Sequence, residues 1–392
     1  MNSVPIYMDY HATTPVDERV LAAMIPFFGE HFGNAASTQH RFGWIAKEAV
    51  EAARTAIASA INARHREVIF TGGATESNNL AVKGIAKAYR GKGNHIITTA
   101  IEHKCVLDSC AALAHEGFRI TYLPVDARGR VNPDDLKNAI TENTTVVSVM
   151  FANNEIGTLQ PMKEIGIVCR DHGIIFHTDA TQAIDKQKID VDDLNIHAMS
   201  FSSHKIYGPK GVGALYLRGK NPKINIVPQN DGGGQEFGLR SGTLNVPGIV
   251  GFGKAMQIAT EMMEEEMGRE KKLRDLLQEK LSLLGDISVN GSPEHRIQNN
   301  LSVTFHAVHA EMLMNELSDI AVSAGAACHS EETGNERFSH VLKAIGLDSG
   351  AGKSTVRFSL GRFTTDAEIN IVAERVIHAV EKLRTYSLEG AQ

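Results

Sequence analysis

The sequence predicts an α/β fold, with a largely parallel sheet covered by helices on both faces and a smaller α+β unit after it. Two observations point there. From about residue 67 to 217, short apolar runs alternate with helical patterns at the spacing of strand–helix–strand units. After about residue 248 that alternation stops, and a long charged amphipathic segment begins.

Taken in order, the apolar runs at 68–70, 95–98, 120–123, 146–150, 174–176 and 198–201 are expected strands. The stretches 76–89, 106–116 and 162–172 between them have helical character. Parallel strands joined this way are covered on both faces, and ligands bind beyond their carboxyl ends. The amphipathic segment spans roughly 249–284 and contains the run Glu264-Glu265-Glu266, most simply a solvated face. Shorter elements follow at 301–305, 311–317, 320–323 and 356–360, then a closing helix from Asp366. The irregular stretches 219–247 and 328–338 are long for a compact protein, and such loops are often functional. There is no internal repeat and no low-complexity tract.

The composition excludes several classes of function. The 392 residues are 42% hydrophobic and 22% charged, ordinary for a soluble chain with a large core. The net charge of −6 is built from both signs mixed along the chain. No basic stripe points to a nucleic-acid partner, and no apolar run is long enough to span a membrane. The segment from Met1 to Tyr7 lacks the charged and apolar regions of a signal peptide, so a cytoplasmic protein is expected. Four cysteines make no disulfide framework. Cys105, Cys110 and Cys169 fall in helical segments and read as small buried hydrophobes. No Cys/His spacing matches a zinc site, although there are 17 histidines.

The chemistry rests on a pair about 26 residues apart. Asp179 closes an apolar strand, and Lys205 follows the next strand, just before a Gly-rich turn. A lysine able to form a Schiff base and an acid able to hold a pyridinium nitrogen are what pyridoxal phosphate (PLP) requires. Asp179 could equally be a helix N-cap and Lys205 a surface lysine beside the turn. The segment Thr71-Gly72-Gly73-Ala74-Thr75-Glu76 follows a strand and opens a helix, where free N–H groups favour a phosphate; a plain Gly turn fits it too. Ser202 and His204 are further candidates for the same phosphate, and Gln182 for the cofactor's ring oxygen. His103 lies just past a strand, either stacked on a flat ring or an ordinary loop residue. Arg357, inside an apolar strand, needs an anion, which is either a substrate carboxylate or a structural acid. Cys328 sits between small residues and a polar stretch, where a thiol suggests a nucleophile, with His329 beside it to favour the thiolate.

Several segments together resemble the cysteine desulfurases of the NifS/IscS type, within the class V aminotransferases. They include Met8-Asp9-Tyr10-His11-Ala12-Thr13-Thr14-Pro15, Phe32-Gly33-Asn34-Ala35-Ala36-Ser37, Gly73-Ala74-Thr75-Glu76-Ser77-Asn78, Glu102-His103-Lys104 and Asn153-Asn154-Glu155-Ile156-Gly157. His177-Thr178-Asp179-Ala180-Thr181-Gln182, Ser202-Ser203-His204-Lys205-Ile206-Tyr207-Gly208-Pro209, Arg240-Ser241-Gly242-Thr243 and Arg357-Phe358-Ser359-Leu360-Gly361-Arg362 complete the set. The resemblance covers nearly the whole chain, in order. It implies the PLP-dependent aminotransferase fold type I, with a mostly parallel seven-stranded sheet in a large domain (15–248). A small α+β domain (1–14 and 249–392) would carry the cysteine loop.

By the same resemblance, Lys205 would carry PLP as a Schiff base. Asp179 would pair with the pyridine nitrogen, His103 would stack on the ring, and Asn154 and Gln182 would contact ring substituents. Ala74, Thr75, Ser202 and His204 would hold the phosphate. Thr243 would reach the phosphate of a neighbouring subunit, which implies a homodimer with shared sites. Asn34 and Arg357 would bind the carboxylate of L-cysteine. Cys328 would take its sulfur as a persulfide, release alanine and pass the sulfur to an acceptor protein, in iron–sulfur cluster assembly, thiolation or another modification. One departure stands out. The stretch Ala326-Ala327-Cys328-His329-Ser330 is closer to the selenocysteine lyases of the superfamily. A selenocysteine lyase is therefore the alternative reading, and a non-catalytic scaffold that docks a sulfur acceptor is a third.

Overall fold

The computed structural model describes residues 5–324 and 339–389. Its strands are β1 (Ile6–Tyr7), β2 (Val68–Thr71), β3 (His95–Thr99), β4 (Arg119–Leu123), β5 (Thr144–Ser148) and β6 (Ile175–Asp179). After them come β7 (Ala198–Ser202), β8 (Gly213–Leu217), β9 (Ile287–Asn290), β10 (Asn300–Phe305), β11 (Ile320–Ala321) and β12 (Thr355–Ser359). Seven form one sheet in the order β2-β8-β7-β6-β5-β3-β4. Only β8 runs against its neighbours, so the carboxyl ends of the other six lie along one edge.

The strand period of two distributes the apolar residues over both faces. Ile69, Ile96, Val146, Ile175 and Leu215 enter a core shared with the helices Ala74–Ala88 and Lys104–His115. Their neighbours Phe70, Ile97, Val147, Phe176 and Tyr216 enter the core on the opposite face. That core takes in Ala46, Val50 and Ile57 of the helix Arg41–Ala60 and Ile165 and Cys169 of the helix Met162–Asp171. With both faces buried, these strands read as continuous apolar runs.

The expected strands at 68–70, 95–98, 120–123, 174–176 and 198–201 all form, with ends shifted by a few residues; the 146–150 run forms as β5, displaced toward its amino end. Strand β8 is an addition. It starts at Gly213 directly after a Gly-Pro-Lys-Gly turn, which hides it in a loop-like composition.

The amphipathic segment is a single helix, Val246–Ser282, of 37 residues, about 55 Å long at 1.5 Å per residue. Its first half buries Ile249, Phe252, Met256 and Ala259 in the core under the large sheet. Its second half buries Leu273, Leu277 and Leu281 in a separate core. There they meet Leu301, Val303 and Phe305 of β10, Val356 and Phe358 of β12, and one face of the helix Asp366–Glu389. The sheet β12-β10-β9 is antiparallel, and β1 pairs in parallel with β11. The start of the chain thus joins this second core, with Met8 fully buried in it. Among the described residues, no helix is long and apolar enough to cross a membrane.

Candidate active site

The edge where six strands end opens into a cavity of about 1020 Å³. Strand β6 ends at Asp179, which is 6% exposed. Its Oδ1 accepts the backbone N–H of Thr181 at 2.9 Å, and its Oδ2 accepts Asn78 Nδ2 at 2.6 Å. It therefore closes a turn and lines the cavity at once. Strand β7 ends at Ser202, and the short helical turn Ser203–Lys205 brings the lysine to the same cavity. Lys205 Nζ donates to the carbonyl oxygens of Ala12, at 2.9 Å, and of His11.

Strand β2 leads through Gly72 and Gly73 into the helix Ala74–Ala88. Gly73 has φ +152°, open to glycine and strained for other residues. A Cβ on Gly213 of β8 would fall 2.7 Å from the Gly73 backbone, so only glycine lets the two chains approach so closely. No side chain caps this helix start, and its N–H groups together with the helix dipole form a place for an anion. Glu76 braces the turn by accepting Gly72 N–H at 2.6 Å, and its carboxylate pairs with Arg240 Nε at 2.6 Å.

Burial sets the electrostatics. It pushes the imidazole of His204 down to about 4, helped by the Lys205 charge, and that of His11 to about 3, helped by Arg357. His103 is also held below the ordinary histidine value by burial, against the pull of Asp179. Glu102 is pushed up to about 8 by burial, against hydrogen bonds from the Met150 N–H and the Thr99 hydroxyl. These groups are neutral or nearly so at pH 7, which leaves Asp179 as a buried acceptor and Lys205 as an amine beside it.

Of the residues singled out from the sequence, Ala74, Thr75, His103, Asn154, Asp179, Gln182, Ser202, His204, Lys205 and Arg357 all line this cavity. Arg357 also pairs with Asp9 at 2.7 Å and donates to the Asn154 carbonyl at 2.9 Å, while its Nε has no partner among the described residues. Asn34 and Thr243 are exposed and do not line the cavity of their own chain. Cys328 and His329 lie outside the described residues. Cys110 and Cys169 are fully buried as expected, but Cys105 is a correction. It is only partly buried, lines the cavity and is hydrogen-bonded to His103 Nδ1 at 3.0 Å and Asn78 Nδ2 at 3.2 Å. A helical period marks which face turns inward, not whether that face meets core or cavity.

The donor set fits PLP. An uncapped helix start with Ser202 beside it suits a phosphate, a lysine amine suits an aldehyde, and a buried carboxylate suits a protonated ring nitrogen. Asn78, fully buried, holds that carboxylate in place. Among the described residues, no cluster of three or more His, Cys, Asp or Glu is placed to hold a metal ion.

Comparison with known proteins agrees with this geometry. The family described as Aminotransferase class-V matches residues 6–372. The chain belongs to the class-V aminotransferases. Within that family, it is 51% identical over 385 residues to a cysteine desulfurase IscS of Anaeromyxobacter sp. (strain Fw109-5), covering 98% of this chain and 94% of that protein. A solved structure titled NifS-like protein superposes with TM-score 0.89 at 38% identity, covering 96% of this chain and 99% of the other. Another, titled SspA in complex with cysteine, gives TM-score 0.80 at 39% identity over 92% of this chain and all of the other. The seven-stranded, mostly parallel sheet is thus that of a class-V enzyme of the NifS/IscS type, as the sequence motifs implied.

One cavity residue of this class-V chain, His11, and one buried neighbour of the site, Asn78, carried no role from the sequence. His11 bonds through Nδ1 to the Asn154 carbonyl at 3.0 Å and through Nε2 to Asn299 at 3.1 Å, and so joins the start of the chain to the site. Asn78, on the helix Ala74–Ala88, is fully buried. Its burial follows from Asp179, which lies 101 residues away in sequence.

Proposed function

We propose that this chain is a PLP-dependent cysteine desulfurase that converts L-cysteine to L-alanine and leaves the sulfur as a persulfide on Cys328. One observation carries the reading: Lys205 and Asp179 share a single cavity with an uncapped helix start, in a chain about half identical to curated cysteine desulfurases. When bound, PLP supplies an aldehyde for amine capture and a ring that accepts the electron pair released at the substrate. Ala74, Thr75, Ser202 and His204 would hold its phosphate, Asp179 its ring nitrogen, His103 its face, Asn154 and Gln182 its ring substituents, and Lys205 its aldehyde carbon.

The remaining steps belong to the protein's own groups. Arg357, with Asn34, binds and orients the substrate carboxylate; the guanidinium fork matches its two oxygens. Lys205 Nζ moves the proton at the substrate's Cα once it is free. The thiolate of Cys328 attacks the substrate's sulfur. An S–S bond forms, the Cβ–S bond breaks, and the electron pair left at Cβ takes a proton to give alanine. The persulfide is then passed to an acceptor protein.

The same reading includes a homodimer with shared sites. Phe28, Phe32, Phe42 and Trp44 are each more than half exposed, and Phe32 stacks on Phe42 with ring centroids 5.3 Å apart. That apolar face suits a second copy of the chain. Thr243 and Asn34, absent from their own chain's cavity, are then available to the partner's site. A cytoplasmic setting fits the free thiols Cys105, Cys110 and Cys169.

Mass spectrometry of the protein after incubation with PLP and L-cysteine tests the proposal. The mass of one added sulfur on Cys328, together with released alanine, is the expected result. Alanine released only from L-selenocysteine would overturn it in favour of a selenocysteine lyase.

A further inference from the structure

Cys105 occupies the first turn of the helix Lys104–His115, two residues after His103, which is its N-cap. His103 Nδ1 accepts the backbone N–H of Cys105 at 3.2 Å, with the Cys105 sulfur 3.0 Å away. The single lone pair of Nδ1 is shared between this N–H and the closer thiol, so the neutral ring carries its proton on Nε2 and depends on both donors. The Cys105 sulfur in turn receives Asn78 Nδ2 at 3.2 Å, and the same amide nitrogen donates to Asp179 Oδ2 at 2.6 Å. Burial, reinforced by the Asp179 charge, pushes the thiol up to about 12, so it remains an S–H donor at neutral pH. With its sulfur accepting from Asn78, that S–H is directed at His103 Nδ1. Asn78 is fully buried, and its Oδ1 has no partner among the described residues. Only its NH2 end can face a carboxylate, which fixes the amide's orientation.

We propose that Asn78 and Cys105 are positioning residues which link Asp179 to His103 and hold the His103 ring in its Nε2–H form, a role that rests on the desulfurase reading above. The chain of donors runs one way: from one amide hydrogen of Asn78 to Asp179, from the other to the Cys105 sulfur, and from that thiol to His103. It fixes two groups that would contact the cofactor, the acid at its ring nitrogen and the imidazole on its face, through one shared amide. The charged and titratable groups acting on His103 are Asp179 and Glu155, which favour its protonation, and Lys205 and His340, which oppose it. Without the thiol, Nδ1 keeps only the longer backbone contact, and the ring is free to tilt or take up a proton.

The test compares wild type, Cys105→Ala, Cys105→Ser and His103→Gln. Alanine is the best helix former and serine keeps a donor, so both Cys105 variants are expected to fold. In cofactor-free protein labelled with 15N-histidine, the resonance pair missing from His103→Gln belongs to His103. It should show the Nε2–H pattern in wild type and Cys105→Ser, and lose it in Cys105→Ala. In the loaded enzyme, Cys105→Ala should lower kcat roughly tenfold, the lower end of what removing an outer partner of an active-site histidine costs, with KM nearly unchanged. The acid limb of its kcat profile should move, and Cys105→Ser should restore most of it. An unchanged His103 signal and an unmoved pH profile in Cys105→Ala would overturn the positioning role. A wild-type protein that takes up no PLP and releases no alanine would instead sink the desulfurase reading beneath it.

Discussion

Arg54 and Glu236 meet end to end inside the protein, 182 residues apart in sequence. Both guanidinium NH groups lie 2.7 Å from the carboxylate oxygens, and the two side chains are 2% and 1% exposed. Arg54 also donates to the Val68 carbonyl, and Glu236 accepts the Phe70 N–H, each at 2.7 Å. The pair therefore fastens the irregular stretch that carries Arg240 and Thr243 to strand β2, whose end shapes the anion site.

Neutralising Glu236 leaves the buried Arg54 charge with only the more exposed Glu51, at 3.2 Å from Arg54 Nε, to balance it. Glu236→Gln is expected to destabilise the protein by about 3–5 kcal/mol, measured by urea denaturation of the cofactor-free protein. A loss below about 1 kcal/mol, the worth of an exposed pair, would show that the contact is solvated in solution.

Lys205→Ala should remove the only covalent attachment proposed for PLP. Borohydride reduction is expected to fix the cofactor to wild type and not to the variant. Alanine release should fall on the order of 10³-fold, within the range for loss of a catalytic proton-transfer group. Retained reductive labelling would assign the Schiff base to another lysine, with Lys83, Lys104 and Lys210 of the cavity wall as the candidates.

Cys328→Ala should keep the cofactor's colour and lose persulfide formation. Cys105 is the internal control, because it is the described cysteine that lines the cavity. Sulfur found on Cys105 in the wild type, or persisting sulfide release by Cys328→Ala, would reassign the nucleophile.

Stability should fall on acidification from about pH 6.5 to 4.5. Burial lowers His11 to about 3 and His95, His177, His197 and His204 to about 4, against an ordinary 6.5. In that window these five are protonated in the unfolded chain and neutral in the folded one. Glu102 and Glu270, raised to about 8 and 7 from 4.5, act with the opposite sign, since only the folded state keeps their protons. Five against two leaves more protons on the unfolded state, and His103, lowered by burial, adds in the same sense, so stability rises with pH across the window. Above it the histidine contribution is complete and the two carboxyl contributions decline, which places a shallow maximum near pH 6.5. Thermal melts of the cofactor-free protein should show it; a Tm that climbs as the pH drops from 6.5 to 4.5 would contradict the assignment.

Much of the site was legible because its residues break a pattern. Asp179 ends an apolar run, Lys205 follows another, and Arg357 interrupts a third, and buried charge in such places needs a purpose. The parts that stayed hidden follow the pattern locally and depend on distant partners. Asn78 ends the motif that begins at Gly73, and its task is not legible until Asp179 lies beside it. Cys105 looks like a core cysteine until the helix start is found at the cavity wall. The helix Arg41–Ala60 contains the buried charge of Arg54, which is matched by the distant Glu236 and the Val68 carbonyl as well as by Glu51 on its own helix. Strand β8 is short, begins with glycine and follows a turn, so its place depends on pairing with β2 and β7.

The pairing of β1 with β11 sets Ile6 opposite Ile320. A ribosome adds about 5–20 residues per second, so β1 waits on the order of 15–60 s for its mate. The large sheet is complete at Leu217 and can close during that interval. Biogenesis is therefore expected to run in two stages, with the nascent leading segment shielded by a chaperone or left loose until translation has nearly finished.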